Sequence, residues 1–87
     1  MNRIIDPRLV EIHEARTIPD LPAEVCQLAY RRARLLLAAR TWADVDMFSR
    51  VADLQDGRFA IPVHGKWVIV FAWTEGLGAS ALCLLRT

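Results

Sequence analysis

No apolar run in this chain approaches the roughly 20 residues needed to cross a bilayer, and its opening stretch, Met1 to Asp20, lacks the apolar centre of a secretory signal. A cytoplasmic protein with no membrane role is therefore expected. Cysteine is scarce. Cys26 and Cys83 stand far apart, each among apolar neighbours and without the ligand-spaced partners of a metal site. They read as small buried hydrophobes in a reducing compartment, and neither a metal nor another cofactor is expected. Excess charge is scarce too: 11 Lys and Arg against 10 Asp and Glu leave a formal charge of +1, too little to wrap nucleic acid by bulk attraction. The 87 residues are too few for a linker and a second domain, so one domain over 1–87 is expected. What the chain has in excess is apolar. Hydrophobic residues make up 54% of it, more than a small monomer needs, so some apolar surface is expected to meet a partner or another copy.

The organising stretch is Phe59 to Trp73, FAIPVHGKWVIVFAW, which reads as two strands joined at His64-Gly65. Alternate strand residues point to opposite faces, so Trp67, Ile69, Phe71 and Trp73 form one wall and Val68, Val70 and Ala72 the other. Two apolar walls predict a central strand covered on both faces. In the preceding strand Pro62 has no N–H for a ladder, so that strand should be an edge or pair on one side only at that point.

Upstream, Arg3-Ile4-Ile5 suggests an amino-terminal strand within Asn2 to Asp6. Asp6-Pro7 then starts a short helix over Pro7 to Arg16, because the carboxylate caps free N–H groups and proline fits the first turn. After the proline-punctuated Thr17 to Pro22, a second helix is expected over Ala23 to Arg40. It has no Gly or Pro, and Cys26, Ala29, Tyr30, Ala33, Leu36 and Leu37 form a stripe at helical spacing. Gln27, Arg31 and Arg34 should project outward, and Arg40 should sit in the last turn, complementing the carbonyl end. Between Glu24 and Asp44 there is no acid, so Arg31, Arg32, Arg34 and Arg40 make one basic stretch. A turn of helix over Trp42 to Met47, an irregular descent, a turn at Asp56-Gly57, and a last strand over Ala79 to Leu85 complete the expectation.

From Ala23 to Thr87, about three quarters of the chain, the sequence resembles the HigB-like branch of the RelE/ParE toxin superfamily. The match is carried by the helix VCQLAYRRARLLLAARTWADV and the hairpin FAIPVHGKWVIVFAWTEG, with its Gly-Lys-Trp-x-x-x-Phe-x-Trp order. The resemblance implies an α+β fold with two N-terminal helices packed on a three- or four-stranded antiparallel sheet. It also implies a toxin silenced by a cognate antitoxin. Toxins of this branch enter the ribosome and cut mRNA without metal, using basic and imidazole side chains, whereas related ParE proteins poison DNA gyrase. Ribosome and mRNA are the implied partners; DNA is reached only through the antitoxin, and a homodimer or a heterotetramer with the antitoxin is the implied assembly.

The chain departs from that nuclease pattern where chemistry is expected. Val68 stands where the family carries an arginine, Pro62 and Ala72 where it commonly has basic residues, and Leu85-Arg86-Thr87 where it often ends in Asp-Tyr-His. The loop before the hairpin is shortened to Gln55-Asp56-Gly57-Arg58. The residues left for catalysis are Arg86, His64, Lys66 and Arg58, and those left to bind RNA are Arg31, Arg34, Arg40 and Arg50. His64 has an imidazole suited to general acid or base work, although pattern alone favours reading it as a polar turn residue. Lys66 fits a solvated turn, Arg86 a solubilising end and His13 a partly buried structural position, while Arg31, Arg32, Arg34 and Arg40 fit ribosomal RNA phosphates, an acidic antitoxin or a solvated face. The three tryptophans read as core, with Trp42 also placed to anchor an interface. Two functions follow from different classes. One is a metal-independent endoribonuclease; the other is a non-catalytic relative, a gyrase inhibitor or degenerate toxin, acting through an apolar sheet face.

Overall fold

Asp6 opens the first element as its chemistry requires: its Oδ1 accepts the Arg8 backbone N–H at 3.0 Å, capping α1 (Pro7–Ala15), which buries Leu9 and Ile12. The structure is a computed structural model and describes residues 3–15 and 17–87; Asn2 and Arg16, the outer bounds of two expected elements, lie outside the described residues. The long helix α2 (Ala23–Ala38) buries Val25, Cys26, Ala29, Ala33 and Leu36, while Tyr30 and Leu37 sit half-buried at the edge of that stripe. It stops short of the expected end. Ala39 is already extended, so Arg40 lies beyond the last turn, and its backbone N–H donates to Asp44 Oδ2 at 3.0 Å. The carbonyl end is met instead by Arg3, whose Nη1 donates to Leu37 O at 3.0 Å and whose Nε donates to Ala79 O at 2.7 Å. Helix α3 (Trp42–Phe48) follows at once because Thr41 and Asp44 form a reciprocal capping box. No described helix is long and apolar enough to cross a membrane.

The helices are followed by an antiparallel meander: β1 (Ala52–Gln55), β2 (Arg58–His64), β3 (Trp67–Thr74) and β4 (Gly78–Arg86), paired in that order. Strand β1 replaces the expected irregular descent. All four of its residues are exposed, so burial leaves no alternating pattern in the sequence, and pairing with β2 alone defines it. Its first residue, Ala52, lies opposite Ala60, leaving Pro62 paired only to Val68 of β3, which is the one-sided pairing that a missing N–H demands. In β4, Ala81 adopts φ 54 and the register shifts between Val70 and Ala72, the geometry of a bulge. The expected amino-terminal strand reduces to one parallel bridge, Ile4 to Leu82, with Ile5 N–H donating to Leu82 O at 3.1 Å.

The Trp67, Ile69, Phe71, Trp73 wall faces the helices. Ile69 and Phe71 are fully buried there, together with Ile61, Leu82, Leu84, Leu9, Ile12, Leu36 and Val45. Burying each such side chain contributes about 1.5–3 kcal/mol. Trp42 lies over the end of this wall, its ring centroid 4.5 Å from Phe59 and 5.5 Å from Trp73. The expectation that both walls are covered is corrected. The buried side chains of the three described helices join one cluster on the inner face, so none of them covers the outer one. On that outer face Val70 is buried beside its cross-strand neighbours Ala60 and Cys83, but Val68 and Ala72 are only half-buried and Pro62 and Leu85 are exposed.

Candidate functional site

Three of the four candidate catalytic residues meet at one end of the sheet. Trp67 pairs with His64 across the β2–β3 turn and with Arg86 across β3–β4. The carboxyl end is tied to the same turn, because Thr87 donates its backbone N–H to Lys66 O at 2.7 Å and its hydroxyl to the same oxygen at 3.0 Å. Gly65, at φ 58, supplies the backbone conformation that brings His64 and Lys66 round this turn. The backbone positions of an imidazole and two cations thus adjoin that of one half-buried indole.

Two further residues join them. Glu24, in the first turn of α2, places its Oε2 3.0 Å from His64 Nε2. Arg8 of α1 lies over the Trp67 ring, 5.6 Å from its centroid, and is held there by donation to Leu84 O at 3.1 Å and by Asp6 at 3.8 Å. Neither is legible as a site residue in the sequence, although an acid in the first turn of a helix was the one signal that Glu24 offered. Asp6 is itself buried, and its Oδ2 accepts the Leu84 N–H at 3.0 Å, so the start of α1 and the end of β4 are locked together beneath the cluster. Chemically, the imidazole can exchange a proton and the cations can hold a phosphate.

The remaining candidates lie elsewhere. Arg58 starts β2 opposite Ala72, while His64 ends that strand. At about 3.3 Å per residue the two are separated by about 20 Å, so Arg58 does not join the catalytic set. It is near enough to Cys83 to act on its thiol electrostatically; burial foremost, and then Asp6, push that thiol above its ordinary value, with Arg8 and Arg58 opposing. Arg31 and Arg34 are exposed on α2, with Arg34 Nη1 donating to the Tyr30 hydroxyl at 3.1 Å. Arg40 lines a cavity of about 540 Å³ with Arg3 and the Gly76–Gly78 turn. Arg50 borders a shallow groove of about 280 Å³ on the outer sheet face, lined by Val51, Ala52, Pro62 and Val68. The four candidate RNA-binding arginines therefore occupy three places. Cys26 and Cys83 are both free thiols, and among the described residues no three His, Cys, Asp or Glu side chains are grouped to hold a metal.

No protein-family model matches the chain, and no curated protein matches it at a significant level.

Proposed function

We propose that this chain is the toxin of a type II toxin–antitoxin module, of the HigB-like RelE/ParE kind, and that it stops growth by acting on translation in the cytoplasm. The observation that carries the reading is that the backbone positions of His64, Lys66 and Arg86 adjoin Trp67 at one end of the sheet. The order of elements, helices and then an antiparallel meander with the Gly-Lys-Trp-x-x-x-Phe-x-Trp segment in an inner strand, supports it. In metal-free RNA cleavage the 2′-hydroxyl gives up its proton as its oxygen attacks phosphorus, the P–O5′ bond breaks, and the leaving 5′-oxygen takes up a proton. His64 is the group fitted to move a proton in that step, and Lys66 and Arg86 are the groups fitted to stabilise the phosphorane charge. The partners of this reading are the ribosome and its message, and a cognate antitoxin that silences the toxin and is its only route to DNA.

A second reading, inhibition by binding without cleavage, is favoured by the outer sheet face. Pro62, Val68 and Ala72 present no charge there, and Arg58 is remote from the imidazole. Growth after induced expression separates the two readings. Cleavage requires that His64→Ala or Arg86→Ala abolish toxicity in folded protein while Val68→Asp and Ala72→Asp leave it intact; binding through the outer face requires the reverse. If all four variants stay as toxic as the parent, both site assignments are wrong.

A further inference from the structure

Helix α2 carries a second stripe on the side away from the sheet, and we infer that this stripe docks an acidic amphipathic segment of a protein partner. Gln27, Tyr30, Arg31, Arg34, Leu35 and Ala38 recur at helical spacing along it. They line two adjoining grooves, of about 440 and 520 Å³, that share Tyr30 and Arg31. From Gln27 to Ala38 the stripe is about 17 Å long at 1.5 Å per residue, the reach of a partner helix of about 12 residues.

Its chemistry selects the occupant. The floor of the larger groove is aliphatic and aromatic, with Tyr30, Leu35 and Ala38, while Thr17 and Gln27 join Tyr30 in the smaller one; Leu35 is 42% exposed, which leaves a large side chain in water until something covers it. Arg31 and Arg34 stand beside this floor, and none of the described residues lining either groove is acidic. A partner that matches both features carries carboxylates between apolar residues. Arg34 is ordered in advance, since its guanidinium lies 5.6 Å from the Tyr30 ring centroid and donates to the Tyr30 hydroxyl, so a carboxylate meets a cation with less freedom to lose. The same contact argues against RNA. Single-stranded RNA binds by stacking bases on open aromatic faces, and the one aromatic ring on this stripe is engaged by Arg34. The inference identifies the surface that the silencing partner would use, and to that extent it rests on the toxin reading; the test does not use toxicity, so the two fail separately.

The test is selection of displayed random peptides of about that length against the immobilised full chain, followed by anisotropy and amide-shift mapping with the most enriched peptide. Enriched sequences should interleave Asp or Glu with Leu, Ile or Phe, and shifts should fall on Gln27 to Ala38. Arg31→Glu with Arg34→Glu should weaken binding about 25-fold, each exposed pair being worth about fivefold. Leu35→Ser, a change at one exposed side chain that leaves the fold intact, should weaken it independently. The inference is overturned by enrichment of peptides without acids, by shifts on the outer sheet face, or by no enrichment at all. It is equally overturned if single-stranded RNA displaces the peptide from these residues at lower concentration than the peptide itself.

Discussion

Arg3 is predicted to be a major stabilising side chain outside the apolar core, because it joins three segments that are distant in sequence. Its guanidinium closes the last turn of α2 through Leu37 O and holds the start of β4 through Ala79 O, while its own backbone oxygen accepts the Leu82 N–H at 3.0 Å. Arg3→Met keeps much of the aliphatic stem and removes both side-chain bonds. A hydrogen bond to a charged group is worth about 1.5–3 kcal/mol, and partial exposure of this one lets water replace part of the loss, so about 2–3 kcal/mol is expected in all. For a domain of this size that is a large share of a total of about 4–13 kcal/mol, and it corresponds to a fall in Tm of about 10–20 °C. Urea unfolding followed by tryptophan fluorescence gives the value, with an unchanged m expected. Arg3→Lys should recover no more than half, since an ammonium lacks the planar fork that reaches two carbonyls. A loss under about 0.5 kcal/mol for Arg3→Met, or a lysine variant as stable as the parent, would refute the clamp.

Gly78 adjoins that clamp at φ +87, and a Cβ there would stand 3.2 Å from Arg3 Nη2 and 3.3 Å from Ala39 O. Gly78→Ala should therefore cost about 1–2 kcal/mol in the same urea assay and be non-additive with Arg3→Met; a neutral effect would contradict the crowding. Asp44 has its carboxyl held below 3.8, chiefly by the Arg40 backbone N–H and then by that of Thr41. A depressed folded value means that this stability is present above the unfolded pKa and is lost as pH falls through the folded one. The urea-midpoint difference between parent and Asp44→Asn should accordingly stay constant above about pH 4 and shrink below it; a difference that persists into strong acid would contradict the cap. Cys83, with its thiol pushed above 9.0 by burial and then Asp6, should react with iodoacetamide at pH 8 more slowly than a small free thiol, while Cys26 stays silent until unfolding. Mass spectrometry reads both rates, and a Cys83 faster than the free thiol would refute the assignment.

What the sequence made legible was whatever burial had written into it as a period. The alternating apolar residues of β3, the helical stripe of α2 and the Asp6-Pro7 start all appear where they were expected, because each follows from chemistry local to the element. Strand β1 was not legible: its four exposed residues carry no alternation, and it exists through its ladder to β2. The end of α2 was misplaced by the attraction of a cation in the last turn, whereas the next helix starts at Trp42 as expected, behind the Thr41–Asp44 capping box. Coverage of β3 on both faces failed for a reason of inventory, since the three described helices all join the inner cluster and none of them covers the outer wall. At the site, the hairpin put His64 beside Lys66 and the resemblance pointed to Arg86, which the β3–β4 register brings opposite Trp67, whereas Arg58, expected at a nearby strand end, is separated by the length of its strand. Arg8 and Glu24 reach Trp67 and His64 only through tertiary packing.

The most direct test of the account adds purified protein to a translating extract and maps breaks in the message by primer extension, with a ribosome-free control. The account predicts breaks confined to translated message that vanish with Arg86→Ala and with His64→Ala. Intact message with translation unaffected would contradict it.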